Sequence, residues 1–110
     1  MELVSEKLGD IVVVKIKGQM DTLTAPDFER KCFSWIDRGE TDFAVDLGEL
    51  EYISSFGIRS ILIVAKKLKV GGGQVHFCCL SGMVKKVFSL AGFLSMFPIY
   101  DSLEQALGQY

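Results

Sequence analysis

Two adjacent hydroxyl groups, those of Ser54 and Ser55, are the side chains of this 110-residue chain whose placement most suggests chemistry. They follow an apolar, strand-like run at residues 43–47 and come just before a helix-like run at residues 58–70. Functional groups in open α/β sheets gather where strands end, and the first N–H groups of a helix favour an anion such as phosphate. Four roles therefore stay open for these serines: nucleophile, ligand group, phosphorylation site or helix N-cap.

A nucleophilic serine needs a general base within hydrogen-bond reach and a group that orients this base. The single histidine, His76, lies further along the chain in a strand-like run, with no carboxylate motif beside it. The Gly-x-Ser-x-Gly turn of many hydrolases is absent, because Ile53 stands two residues before Ser55. The glycine triplet at 71–73 follows a helix-like run, whereas phosphate-binding loops follow a strand. The sequence therefore argues against an enzyme.

Metal-binding patterns are also missing from the sequence. The chain has three cysteines, Cys32, Cys78 and Cys79. Their odd number and the absence of CxxC spacing give neither a disulfide framework nor a zinc motif. Nearby acidic residues form no recognisable carboxylate cage. We expect the cysteines to be small buried side chains in a reducing compartment, and we expect no metal and no cofactor.

The composition indicates one globular domain over residues 1–110. Apolar residues make up 49% of the chain, the net charge is −2, and no basic cluster alternates with aromatic residues, so nucleic-acid binding is not expected. The longest apolar run, residues 61–65, is too short to cross a bilayer, and the first residues do not resemble a signal peptide. We therefore expect a cytoplasmic protein without membrane insertion.

The hydrophobic pattern predicts an α/β domain with a mixed, mostly parallel sheet of four to five strands, flanked by about four helices. Residues 2–8 and 11–17 are expected to form an N-terminal antiparallel hairpin. Later strands are predicted at 42–47, at 74–80 and, as a short edge strand, at 97–100. The alternation of strands and helices after the hairpin favours parallel pairing.

Helices are predicted at four places marked by residues of N-cap type, namely Thr24, the serine pair, Ser81 and Ser102. The last of these forms a capping box with Gln105. On the second helix the predicted buried face consists of Ile58, Ile61, Leu62, Ala65 and Leu68. The serine pair is therefore expected in a loop between a short central strand and this helix.

Three segments of the chain resemble the STAS domain family, the sulfate transporter and anti-sigma factor antagonist domains. Residues 45–59, VDLGELEYISSFGIR, resemble its block D-L-x-x-[LV]-x-[YF]-[IM]-[DS]-S-[SAT]-G-[LI]. Residues 18–28 resemble G-x-[LI]-D-x-x-[TN]-A-x-x-[FL], and residues 72–92 resemble its glycine turn, strand and helix. The resemblance covers essentially the whole chain and implies a STAS-like single domain.

The resemblance implies a free-standing bacterial anti-sigma factor antagonist that is not an enzyme. In its unphosphorylated form such a protein binds an anti-sigma factor that is also a serine kinase of the ATP-binding, histidine-kinase-like fold, and thereby releases a sigma factor. A PP2C-type phosphatase removes the phosphate that the kinase adds. We would expect a monomer or a weak dimer. The alternative is a STAS accessory or scaffold subunit of a transporter ATPase or signalling assembly, without phosphorylation.

Carried onto this chain, the resemblance assigns the phosphorylation to Ser55, with Ser54 as the alternative acceptor. Ser54 stands where the family often has an acidic residue, and Phe56 replaces a residue that is usually small. The positions expected to support the phosphorylation site or to contact a partner are Asp21, Thr22, Ser54, Phe56, Gly57, Ile58 and Arg59. A phosphate brings about −1.5 to −2 charge. A helix N-terminus can accept this charge. The surface of a bound partner need not accept it, particularly if Asp21 and Glu51 already make the rim of the site acidic.

Overall fold

The computed structural model describes residues 1–110 as a five-stranded sheet with five helices. In chain order the elements are β1 (Glu2–Leu8), β2 (Ile11–Met20), α1 (Ala25–Ile36), β3 (Asp42–Ile53), α2 (Ser55–Val70), β4 (Gln74–Cys78), α3 (Gly82–Leu90), α4 (Phe93–Met96), β5 (Ile99–Tyr100) and α5 (Leu103–Leu107). The strands lie side by side in this order; β1 and β2 are antiparallel and all other pairs are parallel. The predicted mixed sheet with its N-terminal hairpin is confirmed, and the one-turn helix α4 is an addition.

The two strands that lead to the serine pair are longer than the sequence suggested. β2 was predicted to end at residue 17 and β3 at residue 47, but they run to Met20 and Ile53 and stay paired to their ends. The prediction of a loop before the serines was therefore wrong. The register shifts twice along this pair, and such bulges interrupt the alternation of apolar and polar residues by which a strand is recognised.

The main hydrophobic core lies on one face of the sheet, under α1, α2, α3 and α4. It is formed by alternate residues of the central strands and by the inward stripes of these helices. Along β3 the residues Phe43, Val45 and Leu47 point into this core, while Ala44 points to the other face. Alternation of side chains along a strand therefore divides β3 between two packed layers, as expected for a central strand.

Helix α2 contacts the core through a face that differs in part from the predicted one. Its fully buried residues are Gly57, Ser60, Ile61, Val64 and Leu68, and the predicted Ile58, Leu62 and Ala65 are only partly buried. The small residues at the start of the helix allow a close approach to its neighbours. A pattern based on apolar residues alone could not include them.

The apolar segment at residues 93–97 turns its two phenylalanines inward, whereas Leu94 and Met96 are exposed. Phe93 is buried and forms edge-to-face pairs with Phe88 and Phe97, at ring-centroid distances of 5.2 and 5.1 Å. Phe97 also packs against Phe77 at 5.2 Å. Aromatic pairs prefer this geometry because the positive ring edge meets the negative ring face. The four phenylalanines thus attach α3 and α4 to β4.

The opposite face of the sheet is covered only in part, by α5 and the C-terminal residue. Ala106 of α5 packs on Ala44 and Cys78, and the Tyr110 ring stacks on His76 at a centroid distance of 4.1 Å. The Tyr110 hydroxyl donates to the Phe43 carbonyl oxygen. The predicted capping box of α5 is present in one half, since the Ser102 hydroxyl accepts from the Gln105 N–H at 3.2 Å, whereas the Gln105 side-chain oxygen accepts from the Asp101 N–H at 3.1 Å.

The glycine triplet acts as a turn between α2 and β4. Gly72 has a φ of +79°, and a Cβ atom at Gly73 would lie 2.2 Å from the Thr41 carbonyl oxygen. Both positions therefore require glycine for steric reasons. The triplet follows a helix and faces the start of β3, so its place in the fold is that of a helix stop.

No helix of this protein has the combination of length and apolar character that a bilayer crossing demands.

Candidate functional site

The serine pair lies where β2 and β3 end side by side. Met20 and Ile53 are paired in register, and the Ser54 N–H donates to the Met20 carbonyl oxygen at 2.9 Å. Directly after these two residues the backbone leaves the sheet, from β2 towards α1 and from β3 towards α2. Because the two strands are parallel, Asp21 after β2 and the pair Ser54–Ser55 after β3 emerge at the same edge of the sheet.

The two serines have different structural roles. Ser54 is the N-cap of α2: its backbone is extended (φ −91°, ψ 176°) and its hydroxyl accepts from the Gly57 N–H at 3.4 Å. Ser55 is the first residue of the helix and is exposed to solvent, and its hydroxyl makes no hydrogen bond within the protein. The cap is thus occupied by its own helix, whereas the Ser55 hydroxyl is free to react or to bind.

Gly57 lets the start of α2 approach the ends of the two strands. A Cβ atom at this position would lie 2.6 Å from Ile53 Cγ1 and 3.0 Å from the Met20 carbonyl oxygen. Neither distance is compatible with an unshifted side chain. The absence of a side chain at Gly57 therefore allows α2 to start where it places the serine pair. Gly57 itself is buried.

Asp21 is held in a fixed orientation by the turn between β2 and α1. Its carboxylate accepts from the N–H groups of Leu23 at 3.0 Å and of Thr24 at 3.2 Å. The Thr24 hydroxyl accepts from the Asp21 N–H and donates to the Gln19 carbonyl oxygen, both at 2.8 Å. Thr24 takes the predicted N-cap position. Its hydroxyl forms hydrogen bonds within this turn, however, and none to the N–H groups of α1.

These contacts favour the charged form of Asp21. Loss of hydration raises the pKa of its carboxyl group, but the hydrogen bonds from the Leu23 and Thr24 N–H groups and from the Thr24 hydroxyl together outweigh this effect. The resulting pKa lies below the usual value of an aspartate. At neutral pH a fixed negative charge therefore stands beside the serine pair.

A shallow groove of about 200 Å³ runs beside the serines between α1 and α2. Its walls include Thr22, Phe56 and Arg59. At its floor the Ser60 hydroxyl donates to Glu29 Oε2 at 2.7 Å, which joins the two helices. The groove therefore combines an exposed aromatic ring with hydroxyl and guanidinium groups, a mixture suited to contact with another protein surface.

The fold brings most of the sequence-predicted site residues to one surface. Thr22, Ser55, Phe56 and Arg59 are exposed there and Asp21 and Ser54 are half-buried. Ile58 differs, since part of its side chain packs against the main core. Gly57 is buried and can therefore only support the site from within.

Two exposed apolar residues near the serines were not expected at the site. Leu23, in the turn next to Asp21, is 86% exposed, and Tyr52, near the end of β3, is 40% exposed. Phe56, which was expected at the site, is 49% exposed. The sequence signal for Leu23 is an apolar residue inside an otherwise polar turn. Tyr52 required knowledge that β3 continues beyond residue 47.

No general base stands near the serines. The single histidine, His76, is buried in β4 on the face covered by α5, stacked on Tyr110. The Asp21 carboxylate beside the pair already accepts hydrogen bonds from its own turn, and the Glu29 carboxylate in the groove accepts from Ser60. The arrangement therefore provides an accessible acceptor hydroxyl at a helix N-terminus, and not an activated nucleophile.

Comparison with known proteins gives a consistent picture. Residues 2–106 match the family model described as the STAS domain. BtrV of Bordetella bronchiseptica, whose name describes it as an anti-sigma factor antagonist, is 36% identical over 110 residues, which cover 100% of this chain and 95% of that protein. These matches extend over the serine pair and over the whole fold described above.

Two solved structures have the same fold. An anti-sigma factor antagonist from Mycobacterium paratuberculosis superposes with a TM-score of 0.89 at 23% identity, covering 98% of this chain and 92% of that chain. The Bacillus cell fate determinant SpoIIAA in its phosphorylated form superposes with a TM-score of 0.80 at 21% identity, covering 98% of each chain.

Proposed function

The chain belongs to the STAS domain family, and on this premise we propose that it is an anti-sigma factor antagonist controlled by phosphorylation of Ser55. In its unphosphorylated form it binds an anti-sigma factor, which is also a serine kinase of the ATP-binding, histidine-kinase-like fold, and so releases a sigma factor. The kinase then modifies Ser55, and a PP2C-type phosphatase restores the binding form. The antagonist itself is a cytoplasmic protein without enzymatic activity.

The observation that carries this proposal is the exposed, unpaired hydroxyl of Ser55 in the first turn of α2. A kinase can reach it without unfolding the helix. Ser54, the alternative acceptor, is half-buried and its oxygen already accepts from the Gly57 N–H. A kinase would have to displace this hydrogen bond to reach the Ser54 oxygen, so Ser55 is the better acceptor on steric grounds.

A phosphate on Ser55 would affect the fold and the partner differently. The first N–H groups of α2 and the positive end of its dipole favour an anion, so the domain tolerates the modification. A partner on the same surface meets the phosphate together with the Asp21 carboxylate. This added negative charge opposes an interface that otherwise offers apolar contacts through Phe56 and Leu23.

Relatives add support of two kinds. BtrV carries the name of an anti-sigma factor antagonist and aligns over the whole of this chain. SpoIIAA, which shares the fold, has been solved in a phosphorylated and in an unphosphorylated form. The first supports the class of partner, and the second supports the compatibility of this fold with a phosphate.

The proposal can be tested by phosphorylation in vitro. The protein is incubated with ATP and each histidine-kinase-like serine kinase of its own genome, and modified peptides are located by mass spectrometry. Wild type and Ser54→Ala should take up one phosphate on Ser55, whereas Ser55→Ala should take up none. Phosphate uptake that persists in Ser55→Ala would move the site, and no uptake with any kinase would favour the accessory or scaffold role.

The switch itself is tested by calorimetric binding. The kinase that modifies the protein should bind the unphosphorylated form at least about tenfold more tightly than the phosphorylated form, a difference of about 1.4 kcal/mol. Ser55→Asp should share the weakened binding, and Ser55→Ala should bind like wild type. Equal affinities of the two forms would contradict a phosphorylation-controlled switch.

A further inference from the structure

Three potential metal ligands meet on the sheet face opposite the main core, outside the site described above. The Cys78 and Cys79 sulfur atoms and a carboxylate oxygen of Asp46 all lie within 4.8 Å of one another. Cys78 is buried, whereas Cys79 and Asp46 are half-buried. No sequence pattern indicates this cluster, because Asp46 lies on β3, the cysteines lie at the end of β4, and the three residues lack a recognised metal spacing.

The backbone of Cys79 is what brings the two sulfur atoms together. In a regular strand, neighbouring side chains point to opposite faces of the sheet. β4 ends at Cys78, two residues before the predicted end, and Cys79 has a φ of +66°, the only positive φ of a non-glycine residue in the protein. This rare conformation turns the Cys79 side chain towards the side of Cys78. Residues held in such conformations cluster at functional sites.

Gly48 positions the Asp46 carboxylate next to the two cysteines. The Gly48 N–H donates to Asp46 Oδ1 at 2.9 Å, which orients the carboxylate. A Cβ atom at Gly48 would lie 3.2 Å from Asp46 Oδ1 and 3.3 Å from the Cys79 Cβ atom. The absence of a side chain at Gly48 therefore leaves the space in which the carboxylate and the cysteine meet.

The cluster is accessible from solvent. Cys79, Asp46 and Gly48 line an open cleft of about 430 Å³ between β1, β2 and β3, and Lys15 and Lys17 line the same cleft. Lys15 is the residue of β2 that pairs with Asp46. An ion and its water can thus enter, through a mouth where the charges of Lys15 and Lys17 are matched by those of Glu2 and Glu49.

We propose that Asp46, Cys78 and Cys79 form a binding site for a single zinc-type divalent cation. Zinc prefers cysteine sulfur together with nitrogen or carboxylate oxygen in a tetrahedral arrangement. Ligands about 2.3 Å from one ion in this geometry lie about 3.8 Å apart, so the present separations are within about 1 Å of those that a bound metal requires. The fourth position faces the cleft and is open to water. This proposal does not depend on the proposed function.

The test is a titration of the fully reduced protein with Co²⁺ under anaerobic conditions, followed by Zn²⁺. Wild type should develop a thiolate-to-cobalt charge-transfer absorption that saturates at one equivalent and disappears when Zn²⁺ is added. Native mass spectrometry should show one bound ion. Cys32→Ser is the matched control, because Cys32 is buried in the main core away from the cluster, and it should titrate like wild type.

Variants of the ligands decide the assignment. Cys79→Ser and Asp46→Asn should each weaken Co²⁺ binding by at least about tenfold, and Cys79→Ser should lose a large part of the absorption. Because Cys78 is buried, the variant Cys78→Ser is used only if circular dichroism shows that it folds. Zn²⁺ should raise the Tm of wild type but not of Cys79→Ser. No charge-transfer absorption in wild type, or equal titrations of wild type and Cys79→Ser, would overturn the proposal.

Discussion

The Ser54 N–H donates to the Met20 carbonyl oxygen at 2.9 Å, and this bond closes the edge of the sheet where β2 and β3 end together. It fixes the start of α2 against the start of the turn that leads to α1. Asp21 follows the acceptor residue and Ser55 follows the donor residue. A fixed carboxylate and a free hydroxyl are thereby held at one edge by the backbone.

Replacing Ser54 and Ser55 by alanine, one at a time, should have different effects on the stability of the protein. Ser54→Ala removes the N-cap and should lower the free energy of unfolding by about 0.5–2 kcal/mol, because the Gly57 N–H loses its acceptor. Ser55→Ala should change it by no more than about 0.5 kcal/mol, since this side chain is exposed and unbonded. Urea denaturation measures both; a greater loss for Ser55→Ala would contradict the assigned roles.

Gly57→Ala should destabilise the protein by about 1–3 kcal/mol, a typical cost of overpacking. Its added methyl group would clash with the Ile53 side chain and the Met20 carbonyl oxygen. Gly71→Ala is the control, because a Cβ there meets no atom closer than 3.6 Å and the φ is negative. This variant should stay within about 1 kcal/mol of wild type. Equal effects in thermal and urea unfolding would argue against the steric role of Gly57.

Phe56→Ala should weaken binding of the partner kinase by about tenfold or more while the domain stays as stable as wild type. The ring is 49% exposed beside Ser55, and aromatic side chains often dominate the binding energy of an interface. Val70→Ala offers a control at the other end of α2, where the side chain is 91% exposed. Calorimetry should show normal affinity for this control, and an unaffected Phe56→Ala would exclude Phe56 from the interface.

His76 should make the protein less stable as the pH falls below neutrality. Burial lowers the pKa of its imidazole below the usual value of about 6.5. The unfolded chain then binds a proton at a higher pH than the folded protein, so acidification favours unfolding. The loss should begin near pH 6.5, with a slope of at most about 1.4 kcal/mol per pH unit for one proton.

The control for this pH effect is His76→Phe, which keeps an aromatic ring against Tyr110. Because His76 is the single histidine, the variant should lose the pH dependence between about pH 7.5 and 5.5, above the range where carboxylates titrate. Urea unfolding at several pH values gives both slopes. Parallel slopes of wild type and variant would show that another group is responsible.

Much of the fold could be predicted from the sequence because local patterns and their packing agree. β-branched residues and turn residues identified the hairpin, and capping residues identified the starts of the helices. The prediction failed for the second half of β3, where bulges shift the register against β2. It also failed at the start of α2, where Gly57 and Ser60 are buried through their small size.

The sequence by itself determined the class of fold, the family and the location of the serine pair, because these depend on short-range patterns that residues carry with them. Only the tertiary structure decided that Ser54 caps the helix while Ser55 stays free, since this depends on where β3 stops. It alone brought Asp46 to the two cysteines. Such contacts join strands that are distant in the chain, and no local pattern records the register that makes them meet.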